Sequence, residues 1–526
     1  MRKGSSRILL LTTLLFLSQL ASAQAQDSSS STNQFLSILL AAVIIIAFLV
    51  MVKAGNKLLQ IQTNKPGMPA YVNGDAAIIL KRGFDIKLEG AATGKADAKA
   101  RVDTFAMQPP NFRGVAPIPK VEVEVGDTVK TGDHLFYDKT ETAIKYVSPV
   151  SGEVIAVNRG ERRSIVEVVI LADKEQQYRQ LPAFDLENCS REKLVDFLLD
   201  TGGWSLLRQR PYDIVAQPEC VPGNIFISTF DTAPLAPDLN VVVEGRGIAF
   251  QKGLDVLAKL TTGKVYLGLN ANGAAAPSEV FLKATGVEKR WFKGCHPAGN
   301  VGVQIHHIAP VGPKGMVWTP GVQEVITLGA LFTESRFNAE RVIALTGAEL
   351  KMPKYVRTYA GANVKELIKD NLKSEHVRFV SGDVLSGQQK SPGNFLNMYD
   401  DQLTVLEEGD YFDMLGWLVP GKPAPTTSRS FSNFLFPNST FKAETNVHGE
   451  QRAFVMTGQY EEVLPMDIYP QHLMKAILTN DYEKMEGLGI HELIEEDVAI
   501  CEFACTSKQP LQKILRTGLE MMQEQG

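Results

Sequence analysis

The chain has 526 residues, of which 44% are hydrophobic and 21% are charged, and its formal net charge at pH 7 is −5. At roughly 150 residues per domain, this length predicts several domains with sizeable cores. The slight acidic excess argues against a nucleic-acid groove, which must neutralise phosphates with basic side chains. The five cysteines form no CxxC pair, which favours buried free thiols in a reducing compartment over a disulfide framework.

Two apolar segments open the chain. Residues 1–26 combine a basic start, a short apolar run and small residues, a pattern typical of a signal-like segment. Residues 35–52 carry no charge and are long enough to cross a bilayer, so they predict a transmembrane helix. Basic residues lie outside both runs and a Ser-rich stretch lies between them, which places the chain from Lys53 onward in the cytoplasm. A signal peptide followed by a secreted body is the alternative.

A linker over residues 53–75 precedes a predicted β-rich unit over residues 76–172. Within it, the segment Ala76–Gly90 predicts a strand, a turn and a second strand. Further on, valines alternate with charged residues at period two, and turn residues recur every six to ten positions. The turns Gly126-Asp127 and Gly132-Asp133 and the segment Pro149–Gly152 resemble those of the biotinyl/lipoyl carrier domains.

The carrier function of that resemblance needs a lysine at the tip of the central hairpin. That position falls at about Glu141 in this chain, and Lys145 comes several residues later. We therefore interpret the unit as a scaffold, with Lys145 an ordinary surface lysine.

Residues 173–345 alternate between helical and strand periods, which predicts a Rossmann-like α/β unit with a mostly parallel sheet. Ser190 is the expected N-cap of a first helix. The other predicted elements are the strands GNIFISTFD, LNVVVEG and KVYLGLN and the helix QKGLDVLAKLTTG. Gly245 and Gly247 are followed by Gly253 at a spacing that departs from the dinucleotide fingerprint, so an ordinary βα turn is the competing interpretation.

Residues 346–445 predict a small mixed α/β, β-grasp-like unit, from the segments YVRTYAGANVKELI, HVRFVSGDVLSG and DMLGWLVPG. Residues 446–526 are helical in character. Cys501 and Cys505 lie four positions apart there, but iron–sulfur ligation needs denser cysteine clusters. Buried free thiols are the expected state of both.

The segment KGCHPAGNVGVQIHHI, residues 293–308, is the principal candidate site. A metal site would use Cys295 and the imidazoles of His296 and of His306 or His307, yet the spacing is not that of a helical ligand pair. A Cys295–His296 nucleophile lacks an acid to orient the imidazole. Gly299 and its neighbouring glycines expose backbone to a flat ligand, and neutral imidazoles can bond the oxygens of a quinone-like ring.

Two further expectations accompany this candidate. VQIHHIAPV is predicted to be an extended strand, so that at most one of His306 and His307 shares a cavity with His296. The competing interpretation is a tight turn whose histidines satisfy buried backbone groups.

Several separated motifs together resemble the A subunit of the Na⁺-translocating NADH:quinone reductases. They are, in chain order, LKRGFDIKLEG, GCHPAGNVGVQIHHI, YVRTYAGAN, VSGDVLSG, GWLVPG, LPMDIYP and LGIHELIEEDVAICEFACTSK. The C subunit of the related Rnf complexes and the flavin subunit of respiratory NADH dehydrogenase carry a GRGGAGFP-type loop and cysteine clusters. Where that loop would fall, Leu199–Asp213 lacks the glycine ladder.

The resemblance implies a subunit of a six-subunit translocase in the bacterial inner membrane, with its bulk on the cytoplasmic side. It implies no flavin, metal or iron–sulfur centre in this chain, and FAD, FMN, iron–sulfur and NADH in partner subunits. Ubiquinone or menaquinone would be the substrate of the complex, with His296, Gly299, His306 and His307 as quinone contacts and no catalytic residue in the isolated chain. A purely structural adaptor and an Rnf-like electron-transport subunit are the alternatives.

The sequence thus predicts a multidomain α/β protein. Its units are a β-rich barrel-sandwich (biotinyl/lipoyl-like) unit, a Rossmann-like unit, a β-grasp-like unit and a helical C-terminus, preceded by a transmembrane segment. Most relatives in the resembled family lack such an N-terminal span, which here would tether the protein to the bilayer.

Overall fold

The computed structural model describes residues 38–49, 51–53, 68–72, 75–96, 98–273, 275–411, 425–427 and 439–525. The chain divides into two compact units, Met1–Gly67 and Met68–Gly526. The predicted signal-like segment 1–26 and the stretch DMLGWLVPG lie outside the described residues.

In the first unit, residues 38–49 and 51–53 are helical and mostly exposed. All of them except residue 53 belong to the predicted transmembrane segment 35–52, of which residues 35–37 and 50 lie outside the described residues. Across the described part of the chain, no helix combines the length and apolar character that crossing a bilayer requires.

The β-rich unit consists of two small antiparallel sheets with a shared core. Within the described residues one sheet has the order β2-β8-β7-β4 and the other β3-β5-β6. The strands are β2 (Thr104–Met107), β3 (Lys120–Val121), β4 (Thr128–Val129), β5 (His134–Tyr137), β6 (Lys145–Val147), β7 (Gly152–Arg159) and β8 (Ile165–Ala172). The first residues of β7 alternate between buried and exposed, as a two-residue period requires.

Gly152 shows why the turn chemistry of this unit is specified by sequence. It has φ +155°, and a methyl group there would lie 1.9 Å from the Leu171 carbonyl oxygen, so only glycine allows β7 and β8 to pair so closely. Lys145 does not lie at the hairpin tip. It is in β6 with its Nζ 4.0 Å from the centre of the Tyr137 ring.

The segment Ala76–Gly90 does not form the predicted hairpin. Its first part is strand β1 (Ala77–Ile79), which pairs in parallel with a strand of the next unit, so that Ala77 lies opposite Trp291. Among the described residues, its second part belongs to no strand and makes an isolated bridge from Leu88 to Phe441. The prediction is wrong because the partner of β1 is remote in sequence and local alternation cannot identify it.

The described strands of the α/β unit form one sheet of order β1-β13-β12-β11-β14-β9-β10. The strands from β1 to β14 in this order are parallel, and β9 and β10 add antiparallel pairs at one end. The strands are β9 (Arg208–Arg210), β10 (Ile214–Val215), β11 (Asn224–Ser228), β12 (Val265–Asn270), β13 (Glu288–Lys293) and β14 (Val317–Trp318). The helices are α1 (Arg191–Asp200), α2 (Leu239–Val243), α3 (Gly247–Leu260), α4 (Glu279–Leu282), α5 (Val301–Ile308) and α6 (Val322–Thr333).

Helix α1 begins as predicted, because the Ser190 side chain accepts a hydrogen bond from the Lys193 N–H. The predicted strand LNVVVEG is wrong: it is helix α2, capped by Asp238, whose carboxylate accepts from the Asn240 N–H. A run of valines has a strand-like composition, but this cap and the packing of Val242 and Val243 select a short helix.

Two glycines bring α3 and α6 into direct backbone contact. A methyl group at Gly253 would lie 2.0 Å from the Val325 carbonyl oxygen, and one at Gly329 would lie 1.7 Å from the Ala249 carbonyl oxygen. Gly253 therefore serves helix–helix packing, which accounts for its spacing from Gly245 and Gly247 without a dinucleotide.

The unit predicted to be β-grasp-like is built on a mixed sheet. In the described part of the chain this sheet has the order β16-β15-β19-β17-β18. Its elements are β15 (Glu340–Thr346), β16 (Lys354–Tyr359), α7 (Val364–Leu367), β17 (Val377–Ser381), β18 (Gln388–Lys390) and β19 (Gln402–Glu407). Strand β15 begins before the predicted unit boundary at residue 346, so the sheet extends across that boundary.

The C-terminal region is helical, as predicted. Its helices are α8 (Gln459–Val463), α9 (Pro470–Leu478), α10 (Tyr482–Gly487), α11 (Glu495–Ala504) and α12 (Leu511–Gln525). Their core continues into the sheet region through residues such as Phe292 and Val303. Cys501 and Cys505 are free and buried, and the Tyr460 hydroxyl lies 2.9 Å from the Cys505 Sγ.

Buried ion pairs also attach the helical region to the α/β unit. The Arg210 guanidinium donates to Asp497 at 2.8 Å and to Glu496 at 2.6 Å. Arg210 and Asp497 are only 2% and 0% exposed at their side chains, so this pair is fully desolvated. Gly302, at the start of α5, leaves room for it: a methyl group there would lie 2.3 Å from the Arg210 Nη1.

Candidate functional site at the carboxyl edge of the parallel sheet

The candidate site lies where two parallel strands end. Strand β11 leads into the loop that contains Asp231 and Thr232, and strand β13 leads into the loop of His296 and Gly299. Because parallel strands end at the same edge of a sheet, both loops lie on one side of it. This edge is where open α/β sheets characteristically bind ligands.

His296 is fixed by its backbone and enclosed at its ring. Its N–H donates to the Asp85 carboxylate at 2.9 Å, and its carbonyl accepts from the Phe84 N–H at 2.8 Å. The residue is 3% exposed, and its Nδ1 lies 3.2 Å from the Thr232 hydroxyl. Its Nε2 is buried and has no hydrogen-bond partner among the described residues.

Burial also sets the charge state of this imidazole. Desolvation lowers the pKa of His296 to about 4, although the Asp383 and Asp85 carboxylates act in the opposite direction. His296 is therefore neutral at pH 7, and only one of its two ring nitrogens carries a proton.

Gly299 and Thr232 join the two loops. The Gly299 N–H donates to the Thr232 hydroxyl at 2.9 Å. A methyl group on Gly299 would lie 2.6 Å from the Thr232 nitrogen. The close backbone approach that the sequence suggested for a flat ligand is here made to the protein's own Asp231–Thr232 segment.

His306 and His307 face the C-terminal region. Residues 301–308 form helix α5, so the prediction that they form a strand is wrong. Two contacts accompany the helix: the Asn300 side-chain amide donates to the Glu496 carbonyl, and α5 packs against β11. His306 Nδ1 lies 2.7 Å from the Glu492 carboxylate, and its Nε2 accepts from the Asp467 N–H at 3.0 Å.

His307 also forms a hydrogen bond to the C-terminal region. Its Nε2 donates to the Pro465 carbonyl at 2.7 Å, and burial lowers the pKa of His307. The structure therefore brings His296 and Gly299 together around Thr232, whereas His306 and His307 connect α5 to the segment 465–467 and to Glu492.

The metal and nucleophile interpretations find no matching geometry. Among the described residues, no three His, Cys, Asp or Glu side chains are arranged to hold a metal ion. Cys295 is exposed, but desolvation at its thiol and the neighbouring Asp85 raise its pKa to about 11. A thiol with that pKa is protonated at pH 7 and is a poor nucleophile.

Three residues of this edge were missed in the sequence, namely Asp85, Thr232 and Asp383. Thr232 follows directly after the predicted strand GNIFISTFD, so the rule that ligands bind at the carboxyl ends of parallel strands points to it. Asp85 and Asp383 are brought in from remote segments, and no local pattern identifies them.

Comparison with known proteins follows the same division of the chain. Residues 189–337 match the family model described as the NqrA second alpha/beta domain, and residues 78–173 match the NqrA N-terminal barrel-sandwich hybrid domain. Residues 342–391 match the NQRA C-terminal domain. The A subunit of the Na(+)-translocating NADH-quinone reductase of Saccharophagus degradans is 38% identical over 452 residues, which are 85% of this chain and 100% of the relative.

The chain belongs to the NqrA family, the A subunits of the Na⁺-translocating NADH-quinone reductases. The family members from Alcanivorax borkumensis and from a Pseudomonas aeruginosa strain are also 38% identical, again over 85% of this chain and 100% of theirs. The barrel-sandwich and α/β units expected from the sequence are thus confirmed as units of this family.

Similarity to solved structures is weaker. A chain of an NAD⁺-reducing NiFe-hydrogenase in the air-oxidised state aligns over 66% of each chain with a TM-score of 0.33 and 10% identity. A similarity of this degree is too weak to indicate a shared fold or function.

Proposed function

We propose that this chain is the cytoplasmic-face subunit of a sodium-pumping NADH:quinone oxidoreductase, a translocase of the bacterial inner membrane. In this proposal it docks the membrane subunits and contributes to the quinone-binding region, while NADH oxidation and Na⁺ transport take place in partner subunits. The observation that carries it is the alignment over the full length of relatives named as the A subunit of that reductase.

The cofactors of the complex are proposed to lie in the partner subunits, with FAD, FMN, iron–sulfur and NADH all outside this chain. The segment Leu199–Asp213 supports this division. A methyl group at Gly202 would lie 2.5 Å from Val147, and one at Gly203 would lie 2.7 Å from Leu331. These glycines therefore allow close packing against the protein's own side chains.

The quinone contacts at His296, Gly299, His306 and His307 stay predictions. Of the four, His296 has a buried ring nitrogen without a partner in the described part of the chain, so it is the best candidate to bond a quinone carbonyl. Gly299 would shape the loop, and His306 and His307 would hold α5 in place. Ubiquinone and menaquinone both present the required carbonyl oxygen.

Photolabelling of the purified complex with a quinone analogue tests this function. We expect label on this chain, within the loops that follow β11 and β13. Label on partner chains alone would support the purely structural adaptor. A labelled NADH analogue used in parallel should mark a partner chain, and its attachment to this chain would favour the Rnf-like alternative.

Residues 35–52 are proposed to tether the protein to the membrane, on the basis of their uncharged, apolar sequence. Small residues at positions 41, 42 and 47 would also allow a partner helix to approach closely. Removal of residues 1–53 should increase the fraction of the protein that carbonate extracts from membranes. A deleted form that stays as firmly bound as the full chain would refute the tether.

A further inference from the structure

We infer that Thr232 holds His296 as the Nε2–H tautomer and that this N–H donates a hydrogen bond to one carbonyl oxygen of the quinone. Thr232 is then a positioning residue, and the ligand is selected as a neutral hydrogen-bond acceptor. This inference rests on the proposed function and deepens it at the same site.

The hydrogen count around Thr232 assigns the tautomer. Its hydroxyl oxygen accepts from the Gly299 N–H at 2.9 Å and lies 3.2 Å from His296 Nδ1. If Nδ1 carried the proton, the Thr232 hydrogen and the Nε2 lone pair would both lack a partner among the described residues. If Thr232 donates to Nδ1, the Thr232 hydroxyl and the His296 Nδ1 both have partners, and only the Nε2–H of this pair of side chains lacks one among the described residues.

None of the neighbouring carboxylates accepts from Nε2, which has no hydrogen-bond partner among the described residues. The hydrogen bonds of these carboxylates are made to other groups. Asp85 accepts from the His296 N–H, and Asp231 accepts from the Ala233 N–H at 2.8 Å. Asp383 accepts from the Leu385 N–H at 2.6 Å and from the Ser386 hydroxyl at 2.5 Å. The Nε2–H therefore stays a buried donor, which an incoming acceptor would satisfy.

The charges of this edge decide which acceptor fits. The Asp383 and Asp85 carboxylates act electrostatically on the imidazole, and they would repel a carboxylate or a phosphate. A quinone carbonyl carries no net charge, and its oxygen can accept this hydrogen bond along one of its lone pairs. In this inference the neutral imidazole of His296 orients the quinone through that hydrogen bond.

The test compares four variants in the assembled complex, measured as the KM for a soluble ubiquinone analogue. His296→Leu removes the donor, whereas His296→Gln keeps an N–H near the position of Nε2. Thr232→Val removes the hydroxyl, and Thr232→Ser keeps it. We expect His296→Leu and Thr232→Val to raise the KM by about threefold to tenfold, the contribution of one hydrogen bond. His296→Gln and Thr232→Ser should stay close to the parent.

Infrared difference spectra with ¹³C-carbonyl-labelled quinone supply a readout that a merely structural role would not change. A hydrogen-bonded carbonyl absorbs at lower frequency, so this shift should be present in the parent and lost in His296→Leu. His376→Leu, which changes the exposed histidine just before β17, is the matched control and should leave both the KM and the spectrum unchanged.

Two outcomes overturn the inference. An unchanged carbonyl band in assembled His296→Leu would show that His296 does not bond the quinone, even where photolabel marks this chain. If His296→Leu fails to assemble, equal KM values for Thr232→Val and Thr232→Ser would exclude the tautomer assignment. Label on partner chains alone, by contrast, would remove the proposed function itself.

Discussion

The histidines of residues 293–308 show how much the surroundings of a side chain decide its chemistry. His306 and His307 have backbone or carboxylate partners supplied by the C-terminal region. His296 has one partner at Nδ1 and none at Nε2 among the described residues. The sequence identified these residue types, but it could not assign their partners, since Thr232, Glu492 and Pro465 come from distant segments.

His296 is expected to make stability depend on pH. Its pKa is about 4 in the folded chain and about 6.5 in an unfolded chain. Between these values the unfolded state binds a proton that the folded state does not, so stability falls as the pH falls from 6.5 to 4. The full effect is roughly 3 kcal/mol.

His296→Gln should therefore flatten the plot of thermal midpoint against pH over that window. His376→Gln is the control, because Asp410 raises the pKa of that exposed histidine and any effect has the opposite sign. Equal slopes for the parent and His296→Gln would contradict the assignment of a neutral buried imidazole.

The desolvated pair of Arg210 and Asp497 gives a second prediction. Arg210→Met leaves a buried carboxylate without its cation and should lower the free energy of unfolding by about 3–5 kcal/mol. The double variant Arg210→Met/Asp497→Leu should recover part of that loss. Lys283→Met breaks the exposed Lys283–Glu279 pair and should cost less than about 1 kcal/mol. Calorimetric unfolding of the three variants measures the differences, and a loss in Arg210→Met no larger than in Lys283→Met would refute the argument.

At the level of elements, local pattern predicted those whose partners are near in sequence. Helix α1, with its Ser190 cap, and the strands of the barrel-sandwich unit are of this kind. Besides the hairpin of Ala76–Gly90, the wrong predictions are those for α2 and α5, where the sequence predicts strands because valine and isoleucine favour extended backbone. In α5 the consecutive residues Val303, Gln304 and Ile305 are all buried, so no exposed position marks a helical period over that stretch.

The glycines between α3 and α6 provide a test at this level. Gly329→Ala places a methyl group 1.7 Å from the Ala249 carbonyl oxygen, so the helices must separate, at a cost of about 1–3 kcal/mol. Gly487→Ala in α10 meets no atom within 4 Å and should be neutral or stabilise by up to about 1 kcal/mol. Thermal unfolding distinguishes the two, and equal midpoints would show that α3 and α6 are not packed this closely.

At the scale of the whole molecule, the order of the units along the chain could be predicted from sequence, but the contacts between the units could not. The apolar core of the helical region includes Phe230, Phe292 and Val303 of the α/β unit, and Arg210 reaches across to α11. Such contacts join residues that are hundreds of positions apart, and no periodicity reports them.

Truncation of helix α12 measures how much the core of the helical region contributes to stability. Leu511, Leu515 and Leu519 are completely buried, and burying a leucine contributes about 1.5–3 kcal/mol. A chain that ends after Pro510 should lose roughly 5 kcal/mol or more and bind a dye specific for apolar surface. A chain that ends after Met522 keeps these leucines and should behave like the parent. Equal dye binding by both truncated chains would contradict the role of α12.

Strand β1 has a consequence for the order of events during synthesis. Ala77 lies opposite Trp291, so β1 leaves the ribosome well before its neighbour in the sheet exists. At about 5–20 residues per second, the delay is roughly 10–40 s. The barrel-sandwich strands, by contrast, find their neighbours within the same short stretch of nascent polypeptide. We therefore expect the barrel-sandwich unit to form first. Strand β1 then stays unpaired until β13 has been synthesised, and during that time we expect a chaperone to protect it.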